Sequence, residues 1–239
     1  MTTNVFVITH KKVLIPEIQE RPEYIVLQCG SNTDPDLGYL RANTKDNIGD
    51  LNWFYCELTG YYWAWKNITC DLIGIVHYHR FLYYDQLLLT QKIIEELLND
   101  YDFIVPRKSG HGKSFYHTWL QYQTETDALD KLGSIIQVKY PAFYASYLTC
   151  LHTNNGKWAR NIMITRKDVF NQYCSFLFSI LEDLRPLLIF HSHPTNWRRP
   201  TMLGGYLGEL LLNVWITTQG CTTFSVELKS YGWRNFDMK

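Results

Sequence analysis

Three short apolar runs, each stopped abruptly by polar or basic residues, restrict this chain more than any other feature. Leu72-Ile73-Gly74-Ile75-Val76 stops at His77-Tyr78-His79-Arg80, Val5-Phe6-Val7-Ile8-Thr9 at His10-Lys11-Lys12, and Tyr24-Ile25-Val26-Leu27-Gln28 at Cys29-Gly30-Ser31-Asn32. The apolar residues are continuous instead of alternating, so both faces of each strand are covered, as in parallel sheets enclosed by helices. Ligands of such folds gather outside the carboxyl ends of the strands. The polar stops, above all His77, Tyr78, His79 and Arg80, therefore stand where chemistry is expected; an ordinary polar loop is the alternative.

The segments between the runs predict helices. Leu51, Phe54, Tyr55, Leu58, Tyr62 and Trp65 recur at three- and four-residue spacing and predict one amphipathic helix over residues 51–65, with Asp50 as its cap. Glu57 and Tyr61 share a different stripe of that helix and either point together toward a site or pack. Helical patterns follow at 90–99, 117–137, 141–150, 167–185 and 203–217, with strands at 103–105 and 161–165 and a basic loop at 107–116 that holds Lys108, His111 and Lys113. Alternating strands and helices predict an α/β fold with a mostly parallel central sheet and a helix-rich C-terminal half. No linker or repeat divides it, so one domain over residues 1–239 is expected, with halves at about 1–106 and 107–239.

Charge and cysteines exclude several classes of function. The 23 basic residues balance 23 acidic ones, so no basic field draws nucleic acid. Six cysteines lie scattered without a CxxC pair and mostly in apolar surroundings, as reduced thiols do. Met1-Thr2-Thr3-Asn4 leads straight into a strand, and the apolar stretch 206–216 is broken by Gly208, Glu209 and Asn213, far short of the roughly 20 residues that span a bilayer. A cytoplasmic setting is expected, and the Asn67-Ile68-Thr69 sequon is then accidental. The 17 Tyr and 8 Trp exceed what a core needs, and surplus rings of this kind line pockets for flat or sugar-like ligands.

No HExxH, GxSxG, Walker loop or GxGxxG turn is present. His77/His79 and His191/His193 are His-x-His pairs that could ligate a metal, but no carboxylate completes a site. Asp34-Pro35-Asp36, an Asp-x-Asp, reads as a turn in a loop and not as a strand-end metal site. Lys11, His77, Arg80, Lys108, Arg198 and Arg199 would suit a diphosphate leaving group if they face one crevice; a solvated pair is the other reading of Arg198-Arg199. Glu209 enters an apolar, glycine-rich helix, where burial would raise its pKa and make it a better base, unless an arginine such as Arg160, Arg198 or Arg199 neutralises it.

Over nearly its whole length the chain resembles a family of bacterial capsule and O-antigen biosynthesis proteins, long catalogued as of unknown function, that includes galactofuranosyltransferases. The residues that carry the resemblance are Thr9-His10-Lys11, Asp46-Asn47-Ile48, the block 55–67 and Gly74-Ile75-Val76-His77-Tyr78-His79-Arg80. They continue as Asn161-Ile162-Met163-Ile164, Tyr173-Cys174 with 177–181, and Gly208-Glu209 through Asn213-Val214-Trp215. The resemblance implies a GT-A-like (Rossmann-like) fold with a nucleotide-sugar half and an acceptor half. It implies transfer of galactofuranose or another hexose from a UDP-sugar to a lipid-linked saccharide, with inversion, at the cytoplasmic face of the inner membrane. Glu209 would be the base. His77, His79 and Arg80 would stabilise the leaving diphosphate, alone or through a Mn or Mg ion. Thr9, His10, Lys11, Asp46, Asn47, Glu57, Tyr61, Tyr78 and Asn161 would face the donor, and Lys108, Arg198 and Arg199 the acceptor or diphosphate. The chain departs from the family pattern at His79, Arg160 and Leu210, where Arg, Tyr and Arg are usual, which leaves donor and acceptor open. Two other readings stand beside transfer: a saccharide-binding partner without turnover in the same pathway, and a hydrolase with a His-held metal.

Overall fold

A computed structural model of the chain describes residues 1–13, 16–110, 112–122, 126–153, 155–191 and 203–231. The N-terminal half runs β1 (Thr3–Thr9), α1 (Pro16–Gln19), β2 (Tyr24–Gln28), β3 (Leu40–Arg41), a 3-10 turn (Gly49–Leu51), α2 (Asn52–Tyr55), α3 (Leu58–Asn67), β4 (Leu72–His77), β5 (Arg80–Tyr84), β6 (Leu87–Leu88), α4 (Gln91–Asp100) and β7 (Phe103–Pro106). The other half is α5 (Phe115–Tyr122), α6 (Asp127–Lys139), a 3-10 turn (Pro141–Phe143), α7 (Tyr144–His152), β8 (Met163–Arg166), α8 (Lys167–His191), α9 (Leu203–Gln219) and β9 (Thr223–Ser230).

The apolar runs form the strands they predict, and for the predicted reason. Along β1, Phe6 and Ile8 enter a core against α2, α3, α8 and α9, with Trp63, Tyr173, Leu181 and Leu211. Val5 and Val7 enter a second core on the opposite face with Ile94 and Leu98 of α4. A strand clothed on both faces needs apolar residues at every position. Burying each such side chain stabilises by about 1.5–3 kcal/mol.

The sheet is mixed, which corrects the mostly parallel expectation. Its nine strands among the described residues stand in the order β3-β2-β1-β4-β8-β7-β9-β5-β6. β1 is parallel to β2 and β4, with Val5 opposite Tyr24 and Gly74. β8 runs antiparallel to β4 and β7, because the long helical passage α5–α7 leaves the sheet and re-enters it at the same end. β9 is parallel to β7 and antiparallel to β5. β5 in turn meets β4 through the antiparallel pair His77 and Arg80, so β4, β8, β7, β9 and β5 close into a small ring. Antiparallel strands need only two linking residues, and Tyr78-His79 supply them.

That closure decides where the polar stops go. The carboxyl ends of β1, β2, β4, β7 and β9 share one rim, and the reversed strands β5 and β8 bring their amino ends to it. His10-Lys11, His77-Tyr78-His79-Arg80, Lys108 and Arg160-Asn161 therefore all stand on the same side of the sheet.

The predicted helix over 51–65 is broken. Cys56 adopts φ 51°, ψ −125°, ending α2 and restarting the chain as α3 one residue after Glu57. Asn52 Nδ2 holds the break by donating to Cys56 O at 3.0 Å and Thr59 Oγ1 at 2.8 Å. A non-glycine residue in such a conformation stores about 1–3 kcal/mol and persists where its surroundings over-determine it. Asp50 lies in the preceding 3-10 turn, and α2 has no side-chain cap. A Cβ on Gly60 would lie 2.5 Å from Ile8 Cδ1 and 3.0 Å from Cys29 Sγ, so α3 rests directly on the ends of β1 and β2. The predicted helix at 117–137 is α5 and α6, and α8 continues past Pro186. No helix among the described residues is long and apolar enough to cross a membrane.

Candidate active site at the sheet rim

Glu209 and Glu57 lie within electrostatic reach of each other and of Arg80, and Asn161 bonds to Glu57. Asn161 is fully buried; its Nδ2 donates to Glu57 Oε1 at 2.7 Å and to the Gly205 carbonyl of α9 at 2.9 Å. Its own carbonyl accepts the Tyr61 hydroxyl at 2.6 Å. Arg160 and Asn161 both hold positive φ (75° and 48°), a reversal that the Tyr61, Glu57 and Gly205 bonds stabilise. A Cβ on Gly208 would lie 2.9 Å from Leu58 Cδ1 and 3.1 Å from Asn161 Oδ1, so a glycine there lets α9 approach α3 and this loop.

Glu209 keeps a narrow opening to solvent but is otherwise enclosed by protein. Burial, and then the neighbouring Glu57 carboxylate, push its pKa up to about 7, against the pull of Lys157 and Arg160. Burial raises Glu57 as well, with the Asn161 hydrogen bond and the Arg80 charge opposing it. One turn beyond Glu209, Asn213 Nδ2 donates to the Glu209 carbonyl at 2.7 Å and to Trp158 O at 2.8 Å. Its Oδ1 accepts Trp158 N at 3.0 Å, tying α9 to the loop of Lys157 and Arg160. Arg160 stood among the expected neutralising arginines. Lys157 and Asn213 were not singled out from the sequence; Asn213, a polar residue one turn along an apolar helix from Glu209, was the available signal.

The imidazoles are not the cations they were expected to be. His77 is buried, and desolvation together with Arg80, His79 and Arg160 lowers its pKa to about 3. His79 falls to about 4, chiefly through burial and Arg80. Arg80 Nη1 lies 3.4 Å from His77 Nδ1 and can only donate, so His77 carries its proton on Nε2, which makes no hydrogen bond among the described residues. His10 is also lowered by burial and by Lys11, and its ring meets Tyr78 edge-on at 5.2 Å. Tyr78 lies largely buried between His10 and His79. Fixed charge at the rim comes from Arg80, Arg160, Lys11 and Lys157.

Several residues expected to face the donor serve the scaffold instead. Tyr61 is fully buried, stacks on Phe170 at 5.5 Å and spends its hydroxyl on Asn161. Asn161 spends its amide N–H groups on Glu57 and Gly205. Thr9 is buried, its hydroxyl closing the turn to Lys11 N and O at 2.9 and 2.6 Å. Asp46 accepts the Tyr62 hydroxyl at 3.1 Å, and its carbonyl accepts Asn67 Nδ2 at 2.7 Å. Asn47 turns back on Gly49 N at 3.0 Å. The Asp46-Asn47 loop therefore braces α3 at the flank of the rim. Lys108 lies exposed, its Nζ 4.2 Å from the Trp158 ring centroid. Arg198, Arg199 and His193 fall outside the described residues.

Asp34-Pro35-Asp36 follows the end of β2, nearer the rim than expected. Both carboxylates are nevertheless committed to turns, Asp34 accepting Ser31 N at 2.6 Å and Asp36 accepting Gly38 N at 2.7 Å. No group of three His, Cys, Asp or Glu residues that could hold a metal ion is found among the described residues. The two rim histidines are flanked by arginines, a poor setting for a cation.

The family model described as Domain of unknown function (DUF4422) matches residues 4–220. The chain belongs to this family. No curated protein matches the DUF4422 chain. Its fold is similar to a solved apo structure of the WbbM bifunctional glycosyltransferase, with a TM-score of 0.84 and 22% identity. The match covers 97% of this chain and 46% of that one, so the DUF4422 chain spans less than half of WbbM's length.

Proposed function

We propose that this chain is a glycosyltransferase that moves a hexosyl group from a nucleotide-sugar donor to a saccharide hydroxyl. The observation that carries the proposal is the pairing of a proton-accepting carboxylate with fixed cations at one rim. Glu209 deprotonates near neutrality, while Arg80, Arg160 and Lys157 stand around it. A base whose pKa sits near ambient pH is the form that removes an alcohol proton efficiently. Cations beside it offset the charge that grows on a departing diphosphate. The same arrangement on a fold similar to that of a glycosyltransferase supports transfer over the hydrolase reading.

In this reaction the acceptor O–H gives its proton to Glu209 as its oxygen bonds to the anomeric carbon. The bond from that carbon to the phosphate oxygen breaks, and the nucleoside diphosphate leaves with the electron pair. Attack opposite the leaving group inverts the anomeric centre. Arg80 and Arg160 receive the diphosphate charge, with Lys11 and His10 beside them at the end of β1. His77 remains neutral and contributes its Nε2–H as a hydrogen-bond donor. The donor we favour is a UDP-hexose, galactofuranose included, and the acceptor a lipid-linked saccharide of surface-polysaccharide assembly at the inner face of the membrane. No step is routed through a divalent cation, because the described rim residues form no cradle for one.

The test is Glu209→Gln, which keeps the shape of the side chain and removes the base. Transfer should fall by about 10²–10⁴-fold, with donor affinity retained. Near-normal transfer by the folded variant would remove Glu209 from the mechanism.

A further inference from the structure

We propose that Glu57 is a positioning residue that acts on the reaction through Glu209, the two carboxylates forming one acid pair joined by Asn161 and α9. The inference rests on the transfer reading above only for its catalytic consequence; the pairing itself is structural.

The placement of Glu57 is built by features without another evident use. The strained Cys56 turn breaks an otherwise continuous aromatic helix and sets Glu57 at the start of α3. Asn161 then ties one oxygen of Glu57 to the same amide that holds the Gly205 carbonyl. Gly205 precedes Glu209 by four residues, so both lie on one face of α9. A Cβ on Gly205 would stand 3.4 Å from Glu57 Oε2, so the second oxygen rests against that face with no side chain between. Both carboxylates are enclosed and on one side of the same helix.

The groups that face the pair are few. Glu209 meets Glu57 from the start of α3, Lys157 and Arg160 from the loop before β8, and Arg80 from β5. Glu57 meets Asn161 and Arg80, together with Cys29 and Cys56, whose thiols burial pushes up to about 12, and the buried hydroxyls of Tyr61 and Tyr173. The thiols and phenols are neutral at physiological pH. The Asn161 hydrogen bond and the Arg80 charge favour the ionised form of Glu57 against its burial, and that negative charge keeps the proton on Glu209. Protons leave such a pair in two steps that belong to the pair. Glu57 thereby sets the pH at which Glu209 can accept a proton from the acceptor, without touching substrate.

The experiment follows the side-chain carboxyl carbons by NMR in the ¹³C-glutamate-labelled full chain between pH 4 and 9, for the parent, Glu57→Gln and Glu209→Gln. In parallel, kcat and donor KM of the parent and Glu57→Gln are measured against pH. The expected result is a fall of about one pH unit in the Glu209 midpoint on Glu57→Gln, a tenfold change in proton affinity. The acidic limb of kcat should move by the same amount, with KM within about threefold. By reciprocity, Glu209→Gln lowers the Glu57 midpoint, so the coupling is read even if Glu57→Gln fails to fold. A Glu209 midpoint unmoved by Glu57→Gln overturns the pairing, as does an unmoved kcat limb with a raised KM, which would make Glu57 a donor contact. If the midpoints move but the parent chain transfers no sugar, the pairing stands and the transfer reading falls.

Discussion

Asn161 is the residue whose removal should reveal how the site is held together. It is fully buried, and its amide donates to a carboxylate and to a backbone carbonyl. Replacing it by Ala deletes a hydrogen bond to a charged group, about 1.5–3 kcal/mol, and a neutral one, about 1 kcal/mol. It also leaves Glu57 enclosed and without that donor. Ala keeps the Cβ that Asn161 already carries at φ 48°, so the left-handed strain of about 1–2 kcal/mol is common to both. The sum of the two lost bonds is about 2.5–4 kcal/mol, a large part of the 5–15 kcal/mol that stabilises a typical domain. Asn161→Gly separates the two causes, since glycine accepts the left-handed conformation but makes neither side-chain bond. Urea denaturation at pH 7 should give Ala the largest loss and Gly a loss smaller by about 1–2 kcal/mol. A loss below about 1 kcal/mol for Ala would refute the reasoning, because the Glu57–Asn161–Gly205 link would then hold nothing.

Other expectations follow from the same geometry. Glu209, raised from 4.5 to about 7, stabilises the fold fully below pH 4.5, and that contribution is lost as pH rises through 7. At 1.36 kcal/mol per pH unit the full difference is about 3 kcal/mol, reduced by partial solvent access, so Glu209→Gln should denature at higher urea than the parent at pH 8.5 and not at pH 4.5. His77, lowered to about 3, has the opposite sign: its contribution is present above 6.5 and lost as pH falls toward 3, and its ring signals should not titrate between pH 8 and 5. Tyr61→Phe should cost about 1–2 kcal/mol by freeing the buried Asn161 carbonyl, measured by thermal or urea unfolding. Gly208→Ala should destabilise by about 1–3 kcal/mol and lower transfer, since its methyl would press on Leu58 and Asn161.

The parts of the fold that were legible are those written in contiguous apolar residues. β1, β4 and β7 have both faces buried, β2 has both faces partly covered, and all four announce themselves within five residues. α4 was legible from its helical periodicity over 90–99, and in the structure Thr90 caps it, its hydroxyl accepting Ile93 N. The closure of the ring was not, since Val226 is the one buried residue of β9, and nothing local marks the strand. Its place depends on pairing with β5 and β7, far away in sequence. The break at Cys56 was hidden for another reason: aromatic periodicity runs straight across it, and no glycine marks the positive φ. The strand-end rule singled out His10, Lys11 and the His77–Arg80 stretch, and the oddity of a carboxylate in an apolar helix singled out Glu209; the structure brings these residues within electrostatic reach of one another. Tyr61, Thr9 and Asn161, which the resemblance places at the donor, turn their hydroxyls and amide N–H groups inward, and only the fold reveals those bonds.

The most direct test of the account is the release of nucleotide (UDP, GDP or CMP) from a panel of UDP-, GDP- and CMP-sugars by the full chain at pH 8, with and without a saccharide acceptor, run beside Glu209→Gln. The account predicts acceptor-stimulated release from a UDP-hexose, slowed at least a hundredfold in the variant. No release from any donor, or equal release by parent and variant, would contradict it.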